Sequence, residues 1–401
     1  MKTMAAAIDF GTSKIVTIMA ESGDYHRCSI LGSGTAAYDG FSEDGKWNTP
    51  DKLSDAIKSA IAQLEGEAHK PVTELYVGVP GECMRVHIRQ SQLTTGPEGR
   101  VTLQDASDIL KKVVAQLNAN QGSVLSYSPA YYQVDDGEPT MTPVGMRGRT
   151  LSAKVSVITA SLDFMDDIEL RLRDMGIKVS GFMPSAMGEA VLLMPPEERD
   201  KTVAMVDVGY LHTELMVMQG DAMVDYQVLP VGGGHIAADL AYGLEIPFAT
   251  AEGVKRAFTF DGSGDIELGE GAGAQRFERP FTTEIITARV DELSDMIRSA
   301  LEDTPIKPDA NAPLYLTGGG ISMMRGGREY VARALNRQIK VPSARAGKLN
   351  SPPYASALGL IDMVFDKIDM QNGDTGTGPM DKVLDVVYGI GHKIGGIFKR
   401  Q

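Results

Sequence analysis

The chain has 401 residues, two to three times a usual domain, with 43% hydrophobic and 23% charged residues, so it can bury at least two cores. Thirty-nine Lys and Arg against 53 Asp and Glu give a net charge of −14, which argues against general nucleic-acid binding, an interaction that runs on phosphate neutralisation. Cys28 and Cys83 alone exclude a disulfide framework and a cysteine-based zinc site and point to a reducing compartment. Asp9 arrives too soon for a signal peptide, and no run of 18 apolar residues exists to span a bilayer.

Residues 4–8 read as a buried strand entering the turn Asp9-Phe10-Gly11-Thr12-Ser13-Lys14, and residues 14–20 as the strand leaving it. Residues 51–63 carry Leu53, Ile57 and Ile61, with Leu64 just beyond, on one helical stripe. A short strand over 75–79 is closed by Pro80 and Gly81. Between about 84 and 163 the pattern changes: strand-like pieces at 84–92, 131–134 and 153–159 surround a helix at 103–116, which predicts a compact inserted subdomain. A helix over 163–174 ends at Gly176. Residues 202–208 then repeat the opening theme, an apolar strand running into Gly209, with a second strand over 214–218. A motif that recurs after about 200 residues predicts a duplicated core with two similar lobes. Helices follow at 236–244 and 249–258, a loop or loose hairpin at 261–275, and a long amphipathic helix at 282–301. A strand at 314–316 feeds Gly318-Gly319-Gly320, and residues 352–368 are helical.

Three glycine turns thus follow apolar strands, at Gly11, Gly209 and Gly318–Gly320. Glycine lets the backbone approach a phosphate closely while turn N–H groups converge on its oxygens. Thr12 and Ser13 add hydroxyls and Lys14 a charge. Asp9 and Asp207 end the first strand of each half, where they suit a hydrated Mg2+ between the lobes, since magnesium takes one or two carboxylates and keeps several waters. Each turn alone is a common feature; their order and spacing carry the argument.

Taken together, the Asp9–Lys14 turn, Asp207-Val208-Gly209 and Thr317-Gly318-Gly319-Gly320 resemble the phosphate-1, phosphate-2 and adenosine motifs of the actin superfamily. The insertion between the first two motifs, GGGHIAADLAYGL at 232–244 and FTTEIITARVDEL at 281–293 are similar to the FtsA family of bacterial cell-division proteins, over nearly the whole chain. The resemblance implies an α/β fold of the actin, hexokinase and heat-shock ATPase kind: two lobes, a small α/β insert and a C-terminal amphipathic helix. Its parts would be a first-lobe core at 1–83 and 164–200, the insert at 84–163, and a second lobe at 201–339 with a smaller subdomain at about 235–300. A return helix at 340–368, a linker at 369–379 and a terminal helix at 380–401 would follow. ATP would lie between the lobes. Glu252 and Lys255, one helical turn apart, would meet ribose and adenine. Gly233 and Gly234 would offer an anion a helix N-terminus, and Glu189 would orient an attacking water.

The second motif departs from the family pattern Asp-x-Gly-Gly-Gly-Thr-Thr-Asp, reading Asp207-Val208-Gly209-Tyr210-Leu211-His212-Thr213-Glu214. A Cβ at Tyr210 and Leu211 disfavours positive φ and crowds a γ-phosphate, so either nucleotide binding is weakened or the loop sits farther from the phosphate, and weak or absent hydrolysis is expected. His212 is a further candidate phosphate contact.

The last 22 residues carry four bases (Lys382, Lys393, Lys399, Arg400) against two acids, on a body that is otherwise at −16. Met380, Val383, Leu384, Val387, Ile390, Ile394, Ile397 and Phe398 form one apolar stripe after the Gly-rich stretch 371–378. Four glycines in this segment each cost about 1 kcal/mol of helix stability, so it is expected to order on an anionic lipid surface, as a weak anchor that polymerisation strengthens. The resemblance adds self-assembly into filaments at the inner face of the cytoplasmic membrane and at the septum. It also adds capture of the FtsZ C-terminal tail by the 235–300 subdomain, and other division proteins on the insert. The alternatives are an actin-like scaffold of pilus type, and a metabolic kinase of the same superfold, for which no catalytic Asp stands out.

Overall fold

The computed structural model describes residues 3–22, 28–96, 98–117, 121–269, 274–342, 349 and 351–371. Strand β1 (Met4–Phe10) is buried from Ala5 onward and turns through Gly11 into antiparallel β2 (Lys14–Ser22), beside which β3 (Cys28–Ala37) lies antiparallel. Helix α1 (Pro50–Ala68) starts on a proline, a residue pre-set for a first turn, and ends at His69 in the left-handed conformation; it buries the Leu53, Ile57, Ile61 and Leu64 stripe. Strand β4 (Glu74–Val79) pairs parallel with β1.

The chain then leaves this sheet. Strands β5 (Met84–Thr94), β6 (Ser123–Val134) and β7 (Thr150–Ala160) form an antiparallel sheet with β7 central. Helix α2 (Leu103–Val114), opened by a Thr102–Asp105 capping box, packs Ile109, Leu110 and Val113 on that sheet. Part of the insert meets the far lobe: Ile88 and Tyr131 pack on its core, and Ser156 Oγ donates to Met223 O at 2.6 Å. After α3 (Leu162–Asp174) the chain returns as β8 (Lys178–Pro184), parallel to β4. Helix α4 (Ser185–Leu193), buried at every position, and the single turn α5 (Pro196–Arg199) lead into the second half.

There β9 (Val203–Val208), β10 (Thr213–Gln219) and β11 (Ala222–Leu229) form the same antiparallel meander. Helices α6 (Gly233–Gly243) and α7 (Phe248–Ala257), the hairpin of β12 (Ile266–Leu268) and β13 (Gln275–Phe277), and α8 (Arg279–Asp303) follow. Strand β14 (Leu314–Thr317) lies parallel to β9, and after α9 (Gly327–Leu335) comes β15 (Ile339–Lys340), parallel to β14. Helix α10 (Ala355–Gln371) returns to pack on α4 in the first core. The two sheets run β3-β2-β1-β4-β8 and β11-β10-β9-β14-β15, with the same sequence of antiparallel and parallel pairs. The core is duplicated.

Arg199 is 1% exposed where the lobes join. Its guanidinium donates to Val191 O and Met194 O on the first-lobe side, and to Gly220 O at 3.2 Å and Asp221 Oδ1 at 2.6 Å in the β10–β11 turn.

Several elements differ from the sequence reading. β3, β11 and α9 were not foreseen, β6 begins at Ser123 rather than 131, and the 261–275 stretch includes β12 of a true hairpin. Helix α10 continues through Gln371, past the expected start of a linker, because Leu360, Ile361, Val364 and Phe365 bury its face. The remaining linker and the candidate membrane residues (Val383, Leu384, Val387, Ile390, Lys393, Ile394, Ile397, Phe398, Lys399, Arg400) lie outside the described residues. Among the described residues, no helix is long and apolar enough to cross a membrane.

Candidate functional site

Equivalent positions in the two halves build equivalent turns. Gly11 N–H donates to Lys14 O, and Gly209 N–H donates to His212 O, both at 3.0 Å. The two turns touch, with Leu211 N–H donating to Thr12 Oγ1 at 3.1 Å. The third turn packs on the end of β9: Gly320 N–H donates to Val208 O at 2.7 Å. Gly318 has φ +80, and a Cβ there would stand 2.0 Å from Asp207 Oδ1, so only glycine fits. Asp9, Gly11–Lys14, Glu189, Asp207, Gly209–His212, Glu252, Lys255 and Gly318–Gly320 all line one cavity of about 1550 Å³. Sequence positions more than 300 residues apart are therefore neighbours here.

Gly233 and Gly234 sit behind the wall. Their N–H groups donate to Gly209 O at 2.9 Å and Tyr210 O at 2.7 Å, so these amides brace the second turn instead of facing the cavity. The strain expected at Tyr210 and Leu211 is also absent, since neither adopts a positive φ. A Cβ on Gly234 would come within 2.9 Å of the Tyr210 ring, so a glycine at the helix start is what makes room for the tyrosine. Lys255 Nζ donates to Gly233 O at 2.9 Å and Glu252 Oε1 at 2.7 Å, and lies 5.3 Å from the Tyr210 ring centre. Burial lowers the Lys255 pKa against the pull of Glu252, while burial and then Glu252 push Tyr210 up to about 12.

The floor of the cavity is rich in carboxylates. Asp9 accepts from Ser185 Oγ at 2.7 Å, and burial raises its pKa. Glu189 accepts from Thr317 Oγ1 at 3.0 Å; burial, then Asp207 and Glu214, raise it well above the carboxylate range. Asp207 is pushed to about 6 by burial, with Asp9 and Glu82 adding and a hydrogen bond from Glu189 opposing. Glu214 is raised too, by burial first and then by Glu82 and Asp207. Asp207 Oδ1 and Glu189 Oε2 lack any donor among the described residues unless one carboxyl keeps its proton for the other. Such a floor suits a cation. Among the described residues no group of three or more His, Cys, Asp or Glu could hold a metal ion by itself, so a cation would complete its shell with water or ligand oxygens, as Mg2+ does. Lys14, whose pKa burial lowers to about 8 against the pull of Asp9, holds its ammonium 3.7 Å from the Tyr354 ring centre. His212 Nδ1 is 2.6 Å from Glu82 Oε1, with both side chains buried.

Glu82, Ser185 and Thr317 escaped the sequence reading as site residues. Only Thr317, directly before the third turn, carried a local signal. Behind the first turn, Trp47 stands 5.5 Å from the Phe10 ring, 5.5 Å from Phe41, 5.8 Å from Phe164 and 5.9 Å from Tyr38, and its indole N–H donates to Asp167 Oδ2 at 3.0 Å.

Comparison with known proteins agrees on one relationship. The sequence model of the family described as cell division protein FtsA matches residues 204–359, and that of the SHS2 domain inserted in FtsA matches 81–159. The cell division protein FtsA of Neisseria meningitidis serogroup B is 26% identical over 372 residues, 89% of each chain. That of Escherichia coli K12 is 24% identical over 396 residues, 93% of this chain and 92% of the relative. Among solved structures, a PilM-PilN type IV pilus biogenesis complex aligns with TM-score 0.59 and 18% identity over 89% of this chain and 97% of that one. At that identity the likeness speaks for the fold, which is actin-like.

Proposed function

The chain belongs to the FtsA family of actin-like cell-division proteins, and on that premise we propose that it binds ATP with Mg2+ between its lobes, polymerises at the inner face of the cytoplasmic membrane and tethers FtsZ there during division. The supporting observation is the meeting of three distant glycine turns at one cavity. Gly11, Thr12, Ser13 and Lys14 would hold one end of the phosphate chain, Gly209 and its turn the other, and Gly318–Gly320 the nucleoside with Glu252 and Lys255. Asp9 and Asp207 would hold Mg2+ through water. When bound, that ion supplies charge neutralisation to the phosphates and to the crowded carboxylates beneath them.

Glu189 would orient water, and burial, with Asp207 and Glu214 nearby, favours its neutral form, which cannot accept a proton. This supports slow or absent hydrolysis, with nucleotide acting mainly as a ligand that sets lobe closure. Residues 380–401 would anchor the chain by burying their apolar stripe in the interface, the FtsZ tail would dock on the 235–300 subdomain, and other division proteins would dock on the insert.

Co-sedimentation with anionic liposomes, with and without ATP and an FtsZ tail peptide, tests the reading. The full chain should pellet, more so with ATP, and bring the peptide with it. Equal pelleting by a chain ending at residue 379 would refute the anchor, and failure to retain the peptide would refute the partner.

A further inference from the structure

Two stalks join the inserted subdomain to the first lobe, and they lie side by side. One enters as the short turn Gly81–Cys83; the other leaves at Ser161, whose N–H donates to Cys83 O at 2.8 Å. The entering stalk presses on the second lobe. Glu82 Oε1 meets His212 Nδ1 at 2.6 Å, with side chains 2% and 8% exposed. A Cβ on Gly81 would fall 1.3 Å from the Tyr226 hydroxyl and 2.8 Å from Glu214 Oε1, so a glycine is required for so close an approach. His212 closes the second glycine turn through its carbonyl, and its neighbour Leu211 bonds Thr12 across the cavity mouth. The insert's sheet is tied to the same lobe by Ser156 and Met223. A subdomain that branches from the first lobe is thus held by the second at its root and on its sheet.

Resting on the reading that the cavity takes nucleotide, we propose that the His212–Glu82 pair links the phosphate end of the cavity to the inserted subdomain. A ligand that draws in the second turn moves His212, and His212 carries Glu82 and both stalks with it, resetting the angle of the insert. The contact is suited to this because it is short, directional and buried. Losing it would leave a carboxylate unpaired away from water, so the partners move together. Glu82 Oε2 has no hydrogen-bond partner among the described residues, so His212 is what steers this carboxylate. His212 here is a positioning residue, acting on the insert through Glu82.

Amide hydrogen exchange on the full chain, with and without ATP and Mg2+ at saturation for each variant, tests the link. In the parent, ATP should change exchange at the turns 9–14 and 207–212 and also, by at least about threefold, in β5 and β7. Compared at ATP concentrations that saturate the response at 9–14 in each variant, His212→Ala and Glu82→Ala should each lose the response in the insert, and the double variant should lose no more than either. His212→Gln, which keeps a donor for Glu82, should restore the response, a rescue that loss of folding cannot mimic. An insert that responds in His212→Ala as in the parent overturns the link, as does a parent whose turns respond while β5 and β7 do not. Calorimetry showing no ATP binding by the parent would instead remove the nucleotide reading, and this proposal with it.

Discussion

Leu211 donates its backbone N–H to the Thr12 hydroxyl at 3.1 Å, a bond between residues 199 apart in sequence. It fastens the glycine turn of one lobe to that of the other, so lobe separation and turn geometry are one variable. Thr12→Val keeps the shape of the side chain and removes the acceptor. With one net hydrogen bond worth about 1 kcal/mol, nucleotide affinity by calorimetry should fall several-fold, and Thr12→Ser should hold most of it. An unchanged affinity in the valine variant would show that this bond does not govern closure.

Adjacent glycines in the third turn should behave differently. Gly318→Ala forces a side chain into φ +80 and against Asp207, and should cost about 1–3 kcal/mol of stability, visible as a lowered melting temperature. At Gly319 an added Cβ would meet, among the described residues, the Pro353 ring at 3.0 Å and no backbone atom. Gly319→Val should therefore lower the melting temperature less than Gly318→Ala does and weaken ATP binding, because it adds bulk at the cavity wall.

Asp207 carries a pH signature. Its pKa stands near 6 in the fold against an ordinary 3.8, so the folded state holds the proton more tightly than the unfolded chain. The resulting stabilisation is full below about 3.8 and is lost as pH rises towards about 6. Asp207→Asn has no charge to suppress. Measured without nucleotide, its melting temperature should gain on the parent as pH goes from 4 to 7, while the facing groups Asp9, Glu82, Glu189 and Glu214 remain in both proteins. A difference that stays flat across that range would contradict the burial argument.

Arg199 should be expensive to lose. Arg199→Ala strips donors from carbonyls of both lobes and breaks the buried ion pair with Asp221, a class of change that costs about 3–5 kcal/mol. Denaturant unfolding should register that loss. A cost below about 1 kcal/mol would mean that water replaces the guanidinium and the joint is looser than its geometry.

The duplicated core was legible because glycine after an apolar strand is a local signal, and it occurs at Gly11, Gly209 and Gly318. Strands β3 and β11 were not, since Cys28–Ala37 and Ala222–Leu229 mix polar and apolar residues where a sheet edge meets an inserted domain or a helix. Helix α4 has no periodicity to read: all nine residues are buried, and a helix without a wet face shows no stripe. At the site, Lys14 and Asp207 announced themselves through their turns. The partners Ser185 and Glu82 are set by tertiary contact alone. His212 was legible as a candidate phosphate contact, whereas its pairing with Glu82, 130 residues earlier, leaves no trace in local spacing. Buried Arg199 looks from sequence like any surface arginine.

Trp47 is the single indole in the chain, and it rests against Phe10 of the first turn within a shell of aromatic rings. The molecule consequently carries its own optical probe. Emission from this one indole, excited at the red edge where tyrosine does not absorb and with no dye attached, reports the first lobe's side of the cleft, so opening and shutting can be followed in real time in a stopped-flow cuvette.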